Sequence, residues 1–313
     1  MIPSQRDVQQ AFDRVRPHVH QTPVLTSRLL DELSGASIFF KCENFQKMGA
    51  FKMRGAINAI LQIPQADQAK GVVTHSSGNF AQAVSLAAKN LGIPAYIVMP
   101  NNAPQVKKDA VVSYGGIIYE SEATIAAREA MASQIKNKTG ATFLHPSNHI
   151  DVILGQGTAA IELLQEHSSL NCIITPVGGG GLLAGSALAA KYYGSSIDVY
   201  AGEPFNADDG YRSLQSGKIE YNTTVNTIAD GLRTHLGDKN FPIIKTLVTD
   251  IIRVEEQEII SAMKLLWERL KIIIEPSCAV PFAALLKDKK TFAGKKVGII
   301  LSGGNVDLTN LPF

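Results

Sequence analysis

The sequence predicts an α/β protein built on parallel sheets, and two observations carry that reading. Short apolar runs alternate with longer helical patterns along most of the chain. Three of these runs end in polar, glycine-containing loops: Ser76-Ser77-Gly78-Asn79, Gly178-Gly179-Gly180-Gly181 and Ser302-Gly303-Gly304-Asn305. Such loops place backbone N–H groups at the carboxyl ends of strands. Open α/β sheets bind small anionic ligands there.

The elements follow in order. Val8, Ala11, Phe12 and Val15 recur at helical spacing, which predicts a helix over 4–15. A strand at 38–42 and a helix at 54–63 come next. Strands at 71–75, 95–99, 116–119 and 142–144 then alternate with helices at 81–91, 105–114 and 123–138. The alternation resumes with a helix at 158–166, a strand at 172–177, a helix at 182–192 and a strand at 198–202. Helices at 255–269 and 280–286 and a strand at 297–301 complete it. Strand–helix–strand units of this kind imply right-handed crossovers. Residues 206–250 show no clear period. Glycine-rich stretches near 68–71 and 147–157 are the expected hinges, since no linker marks a boundary.

Composition narrows the function. Of 313 residues, 45% are hydrophobic and 19% charged, with a formal net charge of +2, so a packed globular protein is expected. No basic block interleaves with aromatics, which argues against nucleic-acid binding. No apolar run approaches the roughly 20 residues of a membrane span. The N-terminal segment Met1 to Asp7 lacks an apolar signal core. Cys42, Cys172 and Cys278 fit neither zinc nor disulfide spacing, so buried, reduced thiols in a cytoplasmic protein are expected.

Lys52 lies between a glycine turn and a predicted helix, flanked by Phe51 and Met53. A lysine at a helix start opposes the macrodipole. An amine desolvated among apolar neighbours has a lowered pKa and can condense with a carbonyl. With three glycine loops, that points to pyridoxal phosphate.

Nine ordered segments resemble the fold type II pyridoxal-phosphate enzymes, within them the serine racemase and threonine/serine dehydratase group. They are Lys41-Cys42-Glu43, 49–56, 74–79, Gly155-Gln156-Gly157-Thr158, 178–181, 201–209, 228–231, 274–277 and 301–308. The resemblance implies two domains, each with a mainly parallel sheet flanked by helices. Residues 1–68 plus 149–313 would form the large cofactor-binding domain and 69–148 the small one, with the cofactor in the cleft. It implies a homodimer and an amino-acid substrate.

The resemblance also implies roles. Lys52 carries the cofactor and moves a proton on one face of the substrate. Ser77 does so on the other face, which permits racemisation. Phe51 stacks on the ring, and Asn79 bonds its hydroxyl. Gly178, Gly179, Gly180 and Gly181 hold the phosphate. Gly231 and Glu275 lie in matching cofactor-side segments. Ser302 faces the ring nitrogen, and a neutral hydroxyl there favours elimination and racemisation over transamination. Ser76, Ser77, Gly78 and Asn79 cradle the substrate carboxylate, while Arg128 or Arg233 would read a distal carboxylate.

Glu203, the Ala207 carbonyl and Asp209 resemble a structural site for Mg²⁺, Ca²⁺ or Mn²⁺. Gln82 and Lys107 match a nucleotide (ATP) effector site. Ala50, Phe80 and Ser147 depart from the commonest residues, which are serine, histidine and asparagine. His145 and His149 are read as structural. The resulting expectation is an ammonia-lyase for L-serine and L-threonine with serine racemase activity. The alternative is an L-threo-3-hydroxyaspartate ammonia-lyase.

Overall fold

The computed structural model describes residues 2–313. The chain opens with α1 (Gln5–Val15), β1 (Val24–Leu25), α2 (Arg28–Ser34), β2 (Ser37–Cys42), α3 (Lys52–Leu61) and α4 (Gln65–Gln68). It continues with β3 (Val72–His75), α5 (Asn79–Asn90), β4 (Ala95–Pro100), α6 (Gln105–Ser113), β5 (Ile117–Ser121), α7 (Ile125–Thr139) and β6 (Thr142–Phe143). Next come α8 (Ile150–Glu166), β7 (Cys172–Pro176), α9 (Gly181–Tyr193), β8 (Asp198–Pro204), α10 (Asp209–Ser216) and α11 (Phe241–Leu247). The last elements are β9 (Asp250–Val254), α12 (Glu256–Leu270), α13 (Pro276–Lys287), α14 (Lys289–Phe292) and β10 (Lys296–Leu301).

The strands form two sheets. One has the order β1-β2-β10-β7-β8-β9, parallel except for β1 against β2. The other has the order β5-β4-β3-β6 and is parallel throughout. Separate apolar cores line the larger sheet. A third core joins Met53, Ile57 and Ile60 of α3 to Phe80 and Val84 of α5 and Val72 of β3. The helix that begins at Lys52 therefore packs against the smaller sheet's α5 and β3 on one side and against α8 on the other.

Two sequence expectations change. The helix expected from 158 begins at Ile150, so the stretch read as a hinge is mostly helical. Its glycines are contact points rather than breaks. A Cβ on Gly155 would meet the Arg54 carbonyl at 2.5 Å, and one on Gly157 the Gly185 carbonyl at 2.5 Å. Removing the side chains lets α8 press directly on α3 and α9. Likewise α13 starts at Pro276, where proline suits the first helical turn, and continues through Pro281. The irregular region holds α10, α11 and the start of the edge strand β9.

A buried ionic network ties these elements together. Arg54 is fully buried, with Nε 2.7 Å and Nη2 2.8 Å from the two Glu43 oxygens. Nη1 and Nη2 each lie 2.8 Å from Glu162. Lys41 Nζ reaches Glu162 at 2.7 Å and the Thr22 carbonyl at 2.7 Å. Burial alone would raise the Glu43 carboxyl; Arg54 holds it below its ordinary range. Two cations and two anions close the set, which spans β2, α3 and α8.

Two substitutions test this packing. Gly157→Ala should cost about 1–3 kcal/mol in urea unfolding, because the added methyl meets backbone. An unchanged midpoint would show that α8 and α9 can separate freely. Arg54→Leu should cost about 3–5 kcal/mol, since it strands the buried Glu43 carboxylate. A loss below about 1 kcal/mol would mean that the network is solvated.

Candidate active site

The chain reaches Lys52 through a tight turn. Met48 and Gly49 have φ of 57° and 78°, and a Cβ on Gly49 would lie 2.7 Å from Asn305 Oδ1. A short antiparallel contact follows. Ala50 pairs with Gly303, and the Phe51 N–H donates to the Ser302 carbonyl at 3.0 Å. The loop after β10 is thereby fastened to the start of α3. Lys52 is partly buried. Its Nζ donates to the Pro146 carbonyl at 3.0 Å. It lies 4.9 Å from the Phe51 ring centre and 5.7 Å from that of Phe80. Burial pushes the amine down to about 8, opposed by the Glu275 carboxylate.

Gly178 to Gly181 form the turn from β7 into α9. Gly180 has φ of 78° and caps the helix. A Cβ on Gly178 would meet Leu232 Cα at 2.7 Å, and one on Gly179 the Ser147 Oγ at 2.3 Å. Side chains are excluded on this loop. Among the described residues, none accepts a hydrogen bond from the four glycine N–H groups. Unpaired N–H groups at a helix N-terminus fit a phosphate. With the Lys52 amine they form a donor set that suits pyridoxal phosphate. Asn240, in the stretch without sequence period, holds the loop through Nδ2 to the Gly179 carbonyl at 2.8 Å. No sequence signal marked it. Gly231 backs the loop, its N–H donating to Ser277 Oγ at 3.1 Å.

Asn79 begins α5, and its Nδ2 donates to both Glu275 oxygens at 3.0 Å. Its Oδ1 accepts from Asn305 Nδ2 at 2.8 Å. Asn305 was visible only as the end of a glycine loop. Glu275 is buried, which pushes its carboxyl up to about 7 against the Asn79 hydrogen bonds. Ser302 is buried at the end of β10. Ser76, Ser77 and Gly78 lead into α5. Gly78 has open space where a side chain would be.

Other predicted residues lie further out. Arg128, on α7, is partly buried; its Nε donates to the Thr124 carbonyl at 3.4 Å. It makes no ion pair among the described residues. Its charge is close enough to help depress His75, which burial lowers first. Arg233 is spent on the Thr227 carbonyl. Of the two nucleotide-site matches, Gln82 is buried and Lys107 pairs with Asp230 at 2.6 Å.

At the end of β8, Glu203 is fully buried and accepts from the N–H groups of Gly210 at 2.9 Å and Tyr211 at 2.7 Å. Asp209 accepts from Asn222 Nδ2 at 2.7 Å. Burial raises Glu203 well above its ordinary range, and Asp209 adds repulsion. Burial also pushes Asp209 up to about 7. Neither carboxylate has an ion-pair partner among the described residues. The neighbouring Asp208 pairs with Arg212 and Arg253. Among the described residues, no three His, Cys, Asp or Glu side chains converge as a metal site. The predicted set has only two side chains and a carbonyl.

Comparison with known proteins gives concordant relatives. A "beta-hydroxyaspartate dehydratase" of Paracoccus denitrificans is 47% identical over 312 residues, covering 100% of this chain and 99% of that protein. The crystal structure of serine racemase from Dictyostelium discoideum superposes with a TM-score of 0.94 at 49% identity, covering 98% of this chain and all of the other. The structure of maize serine racemase superposes with a TM-score of 0.97 at 47% identity, covering 99% of this chain and 95% of the other. The family model for pyridoxal-phosphate dependent enzymes matches residues 15–303. The chain thus belongs to the pyridoxal-phosphate dependent enzymes, in the group that contains serine racemases and dehydratases.

Proposed function

We propose that the protein is an ammonia-lyase for β-hydroxy amino acids, acting on L-serine and L-threonine, with serine racemisation at the same site. The observation that carries this reading is the Lys52 amine. It is held at about 8 between two aromatic rings, beside a cradle of unpaired N–H groups.

Gly178 to Gly181 would hold the cofactor phosphate, Phe51 one ring face and Ser302 the ring nitrogen. The bound cofactor supplies the electron sink that makes the Cα proton removable. Ser76 to Asn79 hold the substrate carboxylate at the N-terminus of α5. Lys52 takes the Cα proton, and the Cβ–O bond breaks as the hydroxyl takes up a proton, to be supplied by the cofactor phosphate, and leaves as water. The released enamine hydrolyses to pyruvate or 2-oxobutanoate and ammonia. A proton returned to Cα from the Ser77 side instead yields the D-amino acid. In this reading residues 69–148 form a small domain, and residues 1–68 plus 149–313 the large one. A homodimer and a cytoplasmic setting belong to the same proposal.

A second reading has a specific observation behind it. Arg128 is a partly buried guanidinium that makes no ion pair among the described residues, with Glu129 as a neighbouring charge, and it suits a substrate with a second carboxylate. That favours 3-hydroxyaspartate, and a relative at 47% identity carries a matching name. Purified protein would be incubated with L-serine, L-threonine and L-threo-3-hydroxyaspartate, with oxo-acid and D-amino acid both quantified. Oxo-acid from serine or threonine, abolished by Lys52→Ala, is the expected result. A strong preference for hydroxyaspartate, lost in Arg128→Ala, would replace it with the second reading. Turnover surviving in Lys52→Ala would defeat both.

Glu203, Asp209 and the Ala207 carbonyl are proposed to hold a divalent cation, Mg²⁺ or a similar hard ion, in a structural role. Two buried carboxylates that have hydrogen-bond donors but no ion-pair partner among the described residues supply the reason. Their folded-state pKa values lie above the unfolded ones. The folded protein therefore keeps protons that the unfolded chain releases; for Asp209 stability falls as pH rises from about 4 to about 7, and raised Glu203 acts in the same direction. A cation removes that penalty. After chelation, Tm should be lower at about pH 8 than at about pH 5, and Mg²⁺ or Ca²⁺ should raise it more at the higher pH. An increment independent of pH would contradict the assignment.

A further inference from the structure

The turn after β6 carries a device that the sequence marked only as structural. His145 Nδ1 accepts two backbone hydrogen bonds, from the N–H groups of Ser147 at 3.2 Å and Asn148 at 2.9 Å. A ring nitrogen that accepts cannot carry a proton, so the remaining proton sits on Nε2. The curl presents the intervening Pro146 carbonyl, which accepts from Lys52 Nζ at 3.0 Å. It also seats Ser147 against the glycine loop, where Asn240 Nδ2 bridges the Ser147 carbonyl at 3.2 Å and the Gly179 carbonyl at 2.8 Å.

The surroundings keep the ring neutral. His75 on β3 lies edge-on at 5.8 Å between ring centres, and Lys52 on α3, His149 before α8 and Asp238 also face it. Burial pushes the imidazole down to about 4; His75, Lys52 and His149 add to that, and Asp238 opposes it. The acceptor is therefore available throughout the range in which Lys52 titrates.

We infer that His145 is a positioning residue: its neutral Nδ1 holds the 145–148 turn so that Pro146 orients the Lys52 amine and Ser147 braces the phosphate cradle. The inference rests on Lys52 being the reactive amine. Two variants separate positioning from simple packing. Asparagine can present an oxygen near the place of Nδ1, whereas leucine fills space and accepts nothing.

The test uses the full chain without cofactor, then with it. The pH dependence of Lys52 acetylation by acetic anhydride is read by mass spectrometry. In His145→Leu the released amine gains water, and its midpoint should rise by at least about half a pH unit. Pyridoxal-phosphate uptake and kcat should fall about 10- to 100-fold with little change in KM. His145→Asn should restore most of both. A folded His145→Leu protein with the wild-type midpoint and uptake rate would overturn the inference, as would a folded His145→Asn protein that rescues neither.

Should the leucine variant not fold, nitrogen NMR of histidine-labelled wild-type protein decides the matter. The Nε2–H tautomer supports the role, and an Nδ1–H tautomer refutes it. The acetylation midpoint, the cofactor uptake and the ring tautomer need no turnover, so a wrong substrate assignment would leave those three standing.

Discussion

The site hangs on the pairing of buried charge around Arg54. Arg54 cannot leave that position without stranding Glu43, and without leaving Glu162 to Lys41 alone, in a medium that penalises lone ions. The network closes only when β2, α3 and α8 stand in one arrangement. Lys52 is two residues upstream on the same helix, so its amine inherits that placement. The glycines of α8 serve the same end. Gly155 lets the α3 backbone approach to where Arg54 can reach Glu162, while Gly157 lets α9 close on the other side.

A second constraint is the lack of water around the reactive groups. Burial is the leading cause of each shift near Lys52, and the direction follows from the charge of each group. The amine falls to about 8, the Glu275 carboxyl rises to about 7 and the His145 imidazole falls to about 4. Amine and carboxyl thus converge towards neutrality, where a proton moves at low cost. The imidazole is driven out of that range and acts as a fixed acceptor. The Glu203–Asp209 pair shows the same physics, with no ion pair to either carboxylate among the described residues.

Much of the fold was legible because the largely buried parallel strands β3, β4, β7, β8 and β10 read as apolar runs; these and the more exposed β5 and β6 lie close to their expected positions. The failures have local causes. Gly155 and Gly157 look like helix breakers, yet they mark where helices touch. Pro276 and Pro281 hid the start of α13. Between 206 and 250, helices of eight and seven residues are too short to show a repeating apolar face in the sequence. Asn240 lies there, and its role depends on a loop that is distant in sequence.

The sequence by itself determined which groups are chemically available: one lysine between apolar neighbours, three glycine loops after strands, and paired acidic residues near 203–209. Those are properties of residue type and short-range spacing. Only the tertiary structure decided their state. Nothing near Lys52 in the chain announces Glu275, Phe80 or the Pro146 carbonyl, and nothing near His145 reveals that its ring must stay neutral. Solvent exclusion and hydrogen-bond partnership arise when distant segments meet, and they shift the proton affinity of each side chain.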